Sequence, residues 1–262
     1  MKTRNFKQDF DHLLAKLKSG ENFAFTRFSD GEMDMLKNIR LVLKKNHVQV
    51  GDWHARKNYQ TVDHKDFNPA TPEHQIFRLK LEQAYKFRKN NYFKGTCCPC
   101  CVGKKDADWM IDLHGPGDDE HLTWANLLVN GNYADFCEKM VPEFNNKKIV
   151  IVCHEDAVLD FSFPLVKEFR VGYNAFINNL PVIDEMGAWV KDNEITDHVF
   201  LFSASSFSAL AIHKLFDTHP NNTYINIGTA LNNFMGMPID RQYLSGYWHK
   251  VPSPTLNKIC IW

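Results

Sequence analysis

The sequence predicts an α/β fold, a Rossmann-like sandwich around a mainly parallel sheet, and three observations predict it. Residues 148–153 and 198–203 are continuous apolar runs, the pattern of strands covered on both faces. Each is followed by a short polar stretch. Strand and helix patterns then alternate through the second half of the chain, at a spacing that leaves room for the crossovers parallel pairing requires.

Taken in order, Phe6, Phe10, Leu13, Leu14 and Leu17 have helical spacing, and Ser19-Gly20 supplies a stop. Residues 22–28 alternate phenylalanine with smaller or polar residues and read as a short strand. Ser29-Asp30-Gly31 follows as a tight turn, then a helix with Met33, Leu36 and Ile39 on one side. Residues 75–88 are helical in spacing, but their flanks are rich in Pro, Gly, His and Asp. A loop-rich insertion is therefore expected around 45–120, within a single domain spanning 1–262. Residues 124–133 read as an amphipathic helix capped by Asn130-Gly131. After the strand at 148–153, a helix is expected over 157–168, interrupted at Pro164, then a short strand near 169–171 and a helix over 174–179. The strand at 198–203, a helix over 207–216 and a strand over 223–227 complete the alternation.

Hydrophobic residues make up 44% of the 262, enough for a full core. Lysine plus arginine (31) equals aspartate plus glutamate (31), so no global field draws in nucleic acid or an anionic membrane. The apolar runs are too short to span a bilayer, and the polar stretch 1–10 has no signal-peptide core. Seven cysteines, an odd number, disfavour a disulfide framework and suit a reducing, cytoplasmic setting.

In a sheet of this class ligands bind beyond the carboxyl ends of the strands. Four polar clusters fall there: Ser29-Asp30-Gly31-Glu32, His154-Glu155-Asp156, Ser203-Ala204-Ser205-Ser206, and Gly228-Thr229. The serine cluster precedes a helix, so its hydroxyls and free N–H groups either cap that helix or bind phosphate. Gly228 either serves a turn or lets a diphosphate or ribose approach the backbone. Asp30 and Glu32 are either acids at a helix start, favoured by its dipole, or ligands to a hard divalent ion, with Arg27 beside them to pair with phosphate.

The segment Arg27-Phe28-Ser29-Asp30-Gly31-Glu32 resembles the metal-binding motif of the GT-D type glycosyltransferases, long catalogued as a domain of unknown function. Residues 199–215 are similar to that family's late strand–turn–helix, and Tyr224-Ile225-Asn226-Ile227-Gly228 to its closing strand end. Ser29 stands where a glycine is expected, and Asn226 where an acid is expected. The resemblance implies a metal-dependent glycosyltransferase that moves a sugar from a nucleoside diphosphate sugar, a UDP-sugar first, to a glycan or other hydroxyl acceptor. It implies Mn²⁺ or Mg²⁺ on Asp30 and Glu32, with Arg27, Ser29, Ser203, Ser205, Ser206 and Gly228 at the donor. His154, Glu155 and Asp156 are the candidates for an acceptor base, with Asp118, Asp119, Glu120 and His121 behind them. A metal-dependent phosphohydrolase or nucleotidyltransferase, or a non-catalytic nucleotide- or glycan-binding domain, are the alternatives.

Cys97-Cys98-Pro99-Cys100-Cys101 holds two overlapping C-x-x-C pairs, too cramped for one tetrahedral zinc site. These cysteines read as redox-sensitive or simply buried, with His114 keeping a metal role open. The aromatic, proline-rich stretch 243–262 either covers an acceptor groove or wraps the domain.

Overall fold

The computed structural model describes residues 6–44, 47–55, 65–117, 120–239 and 241–245. Helix α1 (Phe6–Ser19) ends at Gly20, whose φ of +77° closes it. Strand β1 (Ala24–Arg27) runs directly into α2 (Asp30–Leu36). Next comes a small antiparallel sheet of β2 (Leu41–Lys44), β3 (His47–Val50), β4 (Trp53–Ala55) and β5 (Lys65–Phe67), in the order β4-β3-β2-β5. Then follow α3 (Pro72–Lys86), β6 (Tyr92–Thr96), α4 (Pro99–Val102), α5 (Lys104–His114) and β7 (Leu122–Trp124). The stretch expected to be loop-rich, 45–120, thus supplies three of the four strands of a second sheet and β6 of the main one.

Helix α6 (Tyr133–Asp135) continues through a π turn and a 3-10 turn into β8 (Lys148–His154). After it come β9 (Leu165–Val171), α7 (Ala175–Asn178), α8 (Pro181–Asp192), β10 (His198–Ser203), α9 (Phe207–Thr218) and β11 (Thr223–Asn226). The main sheet has seven strands in the order β7-β6-β1-β11-β10-β8-β9, and every pairing in it is parallel. A mainly parallel α/β sandwich is what the sequence predicts.

Alternate residues of the central strands feed two cores. Val150, Val152, Phe200 and Phe202 pack with α3, α8 and α9 on one face. Ile149, Ile151, Val199 and Leu201 pack with α1 on the other. Burial on both faces explains why these strands read as unbroken apolar runs.

Two expected helices are absent. Residues 157–164 are irregular, and 165–171 form β9 instead of the end of a helix. Pro164 removes a donor and clashes in a helix interior. Strand β9 lies at the sheet edge, so its exposed Lys167 and Glu168 broke the apolar run that marks its neighbours. Residues 124–133 are the end of β7, turns and a 3-10 turn at Asn130–Asn132, with Asn130 left-handed at φ +52°. Their apolar residues bury against the second core without helical backbone. Conversely, the sequence reading assigns no element to 181–192, yet Pro181 opens α8, which buries Ile183, Met186 and Val190. No helix among the described residues is long and apolar enough to cross a membrane.

Candidate functional site

Parallel strands bring all their carboxyl ends to one edge, and a pocket of ≈ 320 Å³ lies there. Residues from all four predicted clusters line it: Ser29, Asp30 and Glu32 after β1, His154 at the end of β8, Ser203, Ala204 and Ser205 after β10, Gly228 and Thr229 after β11. Glu120 and His121 precede β7. A strand's entry lies at the opposite edge from its exit, so these two do not reach the pocket. Asp118 and Asp119, like residues 246–262, lie outside the described residues.

The β1–α2 corner treats its two acids differently. Helix α2 begins at Asp30 itself, and on a helix residues two apart do not face each other. Asp30 is exposed, and its Oδ1 accepts only from the adjacent Gly31 N–H, at 3.0 Å. Glu32 is 4% exposed. Its Oε2 accepts from the Ser29 N–H at 2.9 Å and the Ser29 hydroxyl at 2.6 Å. The bond to the backbone N–H is half of a capping box. Its Oε1 accepts from Lys65 Nζ at 3.1 Å and from the Ser206 hydroxyl. Burial opposes ionisation of Glu32. The Lys65 ammonium, then the donors Ser206 and Ser29, outweigh it and hold the carboxyl at about 2.

These contacts test whether the pair suits a divalent ion. Four hydrogen bonds use the acceptor positions of the Glu32 carboxylate, and an ammonium already supplies its counter-charge. Glu32 does not fit a coordination sphere in this arrangement. Among the described residues, Asp30 alone presents an open carboxylate to the pocket. Among the described residues no group of three His, Asp or Glu side chains converges here.

The β8 end is open by comparison. Glu155 and Asp156 are exposed and stand outside the pocket lining; only His154 enters it. His154 Nδ1 accepts from the Asp156 N–H at 3.1 Å. In the neutral ring this leaves the proton on Nε2, which is buried without a hydrogen-bond partner among the described residues. The lone pair that a base would use, on Nδ1 in this tautomer, is thus already met by a backbone N–H. Asp156 Oδ2 lies 3.5 Å from Nδ1 and 3.3 Å from the Tyr173 hydroxyl.

The serine turn divides its labour. Ser205 is left-handed at φ +51° and lines the pocket with Ser203. Ser206 is buried, and its hydroxyl goes to Glu32 instead of a ligand or its own helix. The Ala204 N–H is met by the Ser208 hydroxyl at 3.2 Å. After β11, Asn226 accepts from the Gly228 N–H at 3.1 Å, so the amide at this position shapes the turn. Gly228 has φ +53°, and a Cβ placed there would sit 1.8 Å from Arg27 Nη1. The glycine admits the Arg27 guanidinium, which also donates to the Ala125 carbonyl. Burial lowers the pKa of Arg27, yet a guanidinium stays charged. It is a fixed cation in the pocket wall.

Sequence reasoning missed Lys65 and Arg241, which line the pocket together with Tyr243, the first residue of the stretch expected either to cover an acceptor groove or to wrap the domain. None lies in a recognisable motif; Lys65 is 33 residues from the carboxylate it meets. Cys97 is buried with its Sγ 3.4 Å from the Phe28 carbonyl, and burial pushes its thiol up. Cys98 Sγ lies 2.9 Å from Cys100 Sγ and 3.2 Å from Cys101 Sγ. Cys98 and Cys101 line the pocket. His114 is buried and is not one of the residues grouped with these thiols.

No family model matches the sequence, and no curated protein matches it. Solved structures do. One is a selenomethionine-substituted structure of domain of unknown function 1792. Another carries the description that this highly conserved domain has a distinct glycosyltransferase fold. Each superposes with a TM-score of 0.55 at 13% identity, over 93% of this chain and 83% of the other. The chain shares that glycosyltransferase fold; at this identity no residue role passes with it.

Proposed function

We propose that this chain is a glycosyltransferase that moves a sugar from a nucleoside diphosphate sugar to a hydroxyl of a glycan or glycoconjugate. The observation that carries the reading is the pocket itself. It lies at the carboxyl edge of a glycosyltransferase-type sheet, with Arg27, Lys65 and Arg241 against Asp30 and Glu32. Its ≈ 320 Å³ falls within the range of small-molecule sites. Three cations against two carboxylates favour an anionic ligand, and the Ser203 and Ser205 turn before α9 adds hydroxyls where phosphate is favoured.

In the proposed reaction the bond from the anomeric carbon to the diphosphate oxygen breaks, and its electron pair leaves with the diphosphate. The acceptor oxygen bonds to the anomeric carbon, and its proton passes to the departing diphosphate or to water. Charge grows on the leaving diphosphate, so fixed cations there lower the barrier more than they tighten ground-state binding. Arg27 is built for that task because its position is set by the Ala125 carbonyl and by the space at Gly228. His154, at the end of β8, lines the same pocket. A divalent ion, expected as Mn²⁺ or Mg²⁺, supplies Lewis-acid charge to a diphosphate when bound. In this chain Glu32 is already engaged by Lys65, Ser206 and Ser29, so no step is assigned to an ion.

The test is a panel of UDP-, GDP- and CMP-sugars, read by release of the nucleotide and by donor binding. Turnover with one donor is the expected result, a UDP-sugar first. Binding without turnover for any acceptor would favour a non-catalytic glycan- or nucleotide-binding domain. Hydrolysis of simple phosphate esters with no sugar transfer would favour a phosphohydrolase.

A further inference from the structure

The acidic motif after β1 carries its own cation. Lys65 opens β5, which pairs with β2 in the register Leu43↔Lys65 and Leu41↔Phe67. That sheet lays the lysine over the first turn of α2. Lys65 is 7% exposed, lines the pocket, and sets Nζ 3.1 Å from Glu32 Oε1. Three neighbouring residues are shaped around this pair. A Cβ on Gly31 would lie 2.9 Å from Lys65 Nζ, so the glycine of the motif clears the lysine's path. Ser29 gives Glu32 a hydroxyl as well as an N–H. Ser206 reaches it across 174 residues of sequence. The Asp66 N–H donates to Asn174 Oδ1 at 2.9 Å, tying β5 to the loop before α7.

We infer that the Lys65 ammonium takes the place at Glu32 that a divalent ion would otherwise fill, and supplies positive charge to the diphosphate of the donor. This rests on reading the pocket as a donor site. A buried ammonium beside a carboxylate is costly to assemble, and breaking such a pair strands a charge. An ion that needed Glu32 would have to evict it. Lys65 is thus a residue of the donor site, and Glu32 is a positioning residue that acts through it. Binding of a nucleoside diphosphate should then be insensitive to chelation.

The experiment uses the full chain and two titrations. In the first, UDP and GDP are titrated calorimetrically into wild type, Lys65→Met and Lys65→Arg, each in EDTA and in Mn²⁺. Wild-type affinity is expected to change by less than about threefold between the two conditions. Lys65→Met should weaken it about tenfold or more in EDTA, and Lys65→Arg should restore most of the loss. In the second, Mn²⁺ alone is titrated and followed by electron paramagnetic resonance with wild type, Lys65→Met and Glu32→Gln. Wild type should take up no stoichiometric Mn²⁺ below about millimolar concentration, and Lys65→Met should gain a site. Stoichiometric uptake by wild type that Glu32→Gln abolishes would overturn the inference, as would binding that Mn²⁺ tightens tenfold through Glu32. Should Lys65→Met fail to fold, the wild-type and Glu32→Gln titrations still decide the matter. Failure of every nucleoside diphosphate to bind would remove the donor-site reading, while the Mn²⁺ titration would still report on Glu32 and Lys65.

Discussion

The floor and the rim of the pocket start from similar sequence and end in opposite states. Both the segment at 29–32 and the segment at 154–156 place acids immediately beyond a buried strand. At the floor, Glu32 is enclosed and receives four hydrogen bonds, two of them from residues far away in the chain. At the rim, Glu155 and Asp156 stay in solvent, and the residue that lines the pocket is His154, its ring oriented by a backbone N–H. A carboxylate's availability for chemistry is therefore set by what other segments bring to it. Sequence proximity to a strand end fixes only the neighbourhood.

The contrast predicts a steep gradient of mutational cost. Glu32→Ala should destabilise the protein by about 3–5 kcal/mol in urea denaturation, because it strands the Lys65 ammonium in a buried site. The double variant Glu32→Leu with Lys65→Met should recover much of that loss. Additive losses in the double variant would mean the two residues are not energetically a pair.

Acid should act on the same pair. The Glu32 carboxyl sits at about 2 in the folded chain, against an ordinary 4.5. Its contribution is present above the ordinary value and is lost as pH falls from there through about 2. The window is worth roughly 3 kcal/mol by linkage. Glu32→Gln should flatten the stability profile across it, and an unchanged profile would remove Glu32 as the cause.

Gly228→Ala should cost about 1–3 kcal/mol through its left-handed φ. It should also weaken nucleotide binding, since the new Cβ displaces Arg27. A variant with wild-type binding would show that Arg27 is not held for the ligand. Ser29→Gly, which creates the residue expected at that position from the resemblance, should cost about 1 kcal/mol. It removes the hydroxyl donor to Glu32 and keeps the N–H.

The smallest effect belongs to the rim. Asp156→Ala should change stability by less than about 0.5 kcal/mol. The His154 tautomer should not change, because the bond to Nδ1 comes from the backbone of Asp156. Nitrogen-15 spectra of the imidazole would show it; a proton appearing on Nδ1 would contradict this account.

Much of the architecture was legible because it is local. Continuous apolar runs marked β8 and β10, and the phenylalanine alternation marked β1, since a strand covered on both faces has no polar side to show. The edge strand β9 escapes because its exposed face breaks that run, and Pro164, which reads as a kink within a helix, precedes the strand. The four polar clusters could be placed at one sheet edge from strand direction alone, and the chain does gather them around one pocket. What they do there was not legible. Gly31 reads as part of a tight turn and Gly228 as a turn or as room for a ligand, and in the folded chain they make room for Lys65 and Arg27.

The sequence alone determined the central strands, their parallel sense and the edge at which chemistry should occur, because hydrophobic period and the alternation of strands with helices are properties of short segments. Only the tertiary structure decided which carboxylate is open. That outcome turns on Lys65 and Ser206 reaching Glu32 from 33 and 174 residues away. Charge pairing in a buried site depends on distances of a few ångströms, which no spacing along the chain encodes.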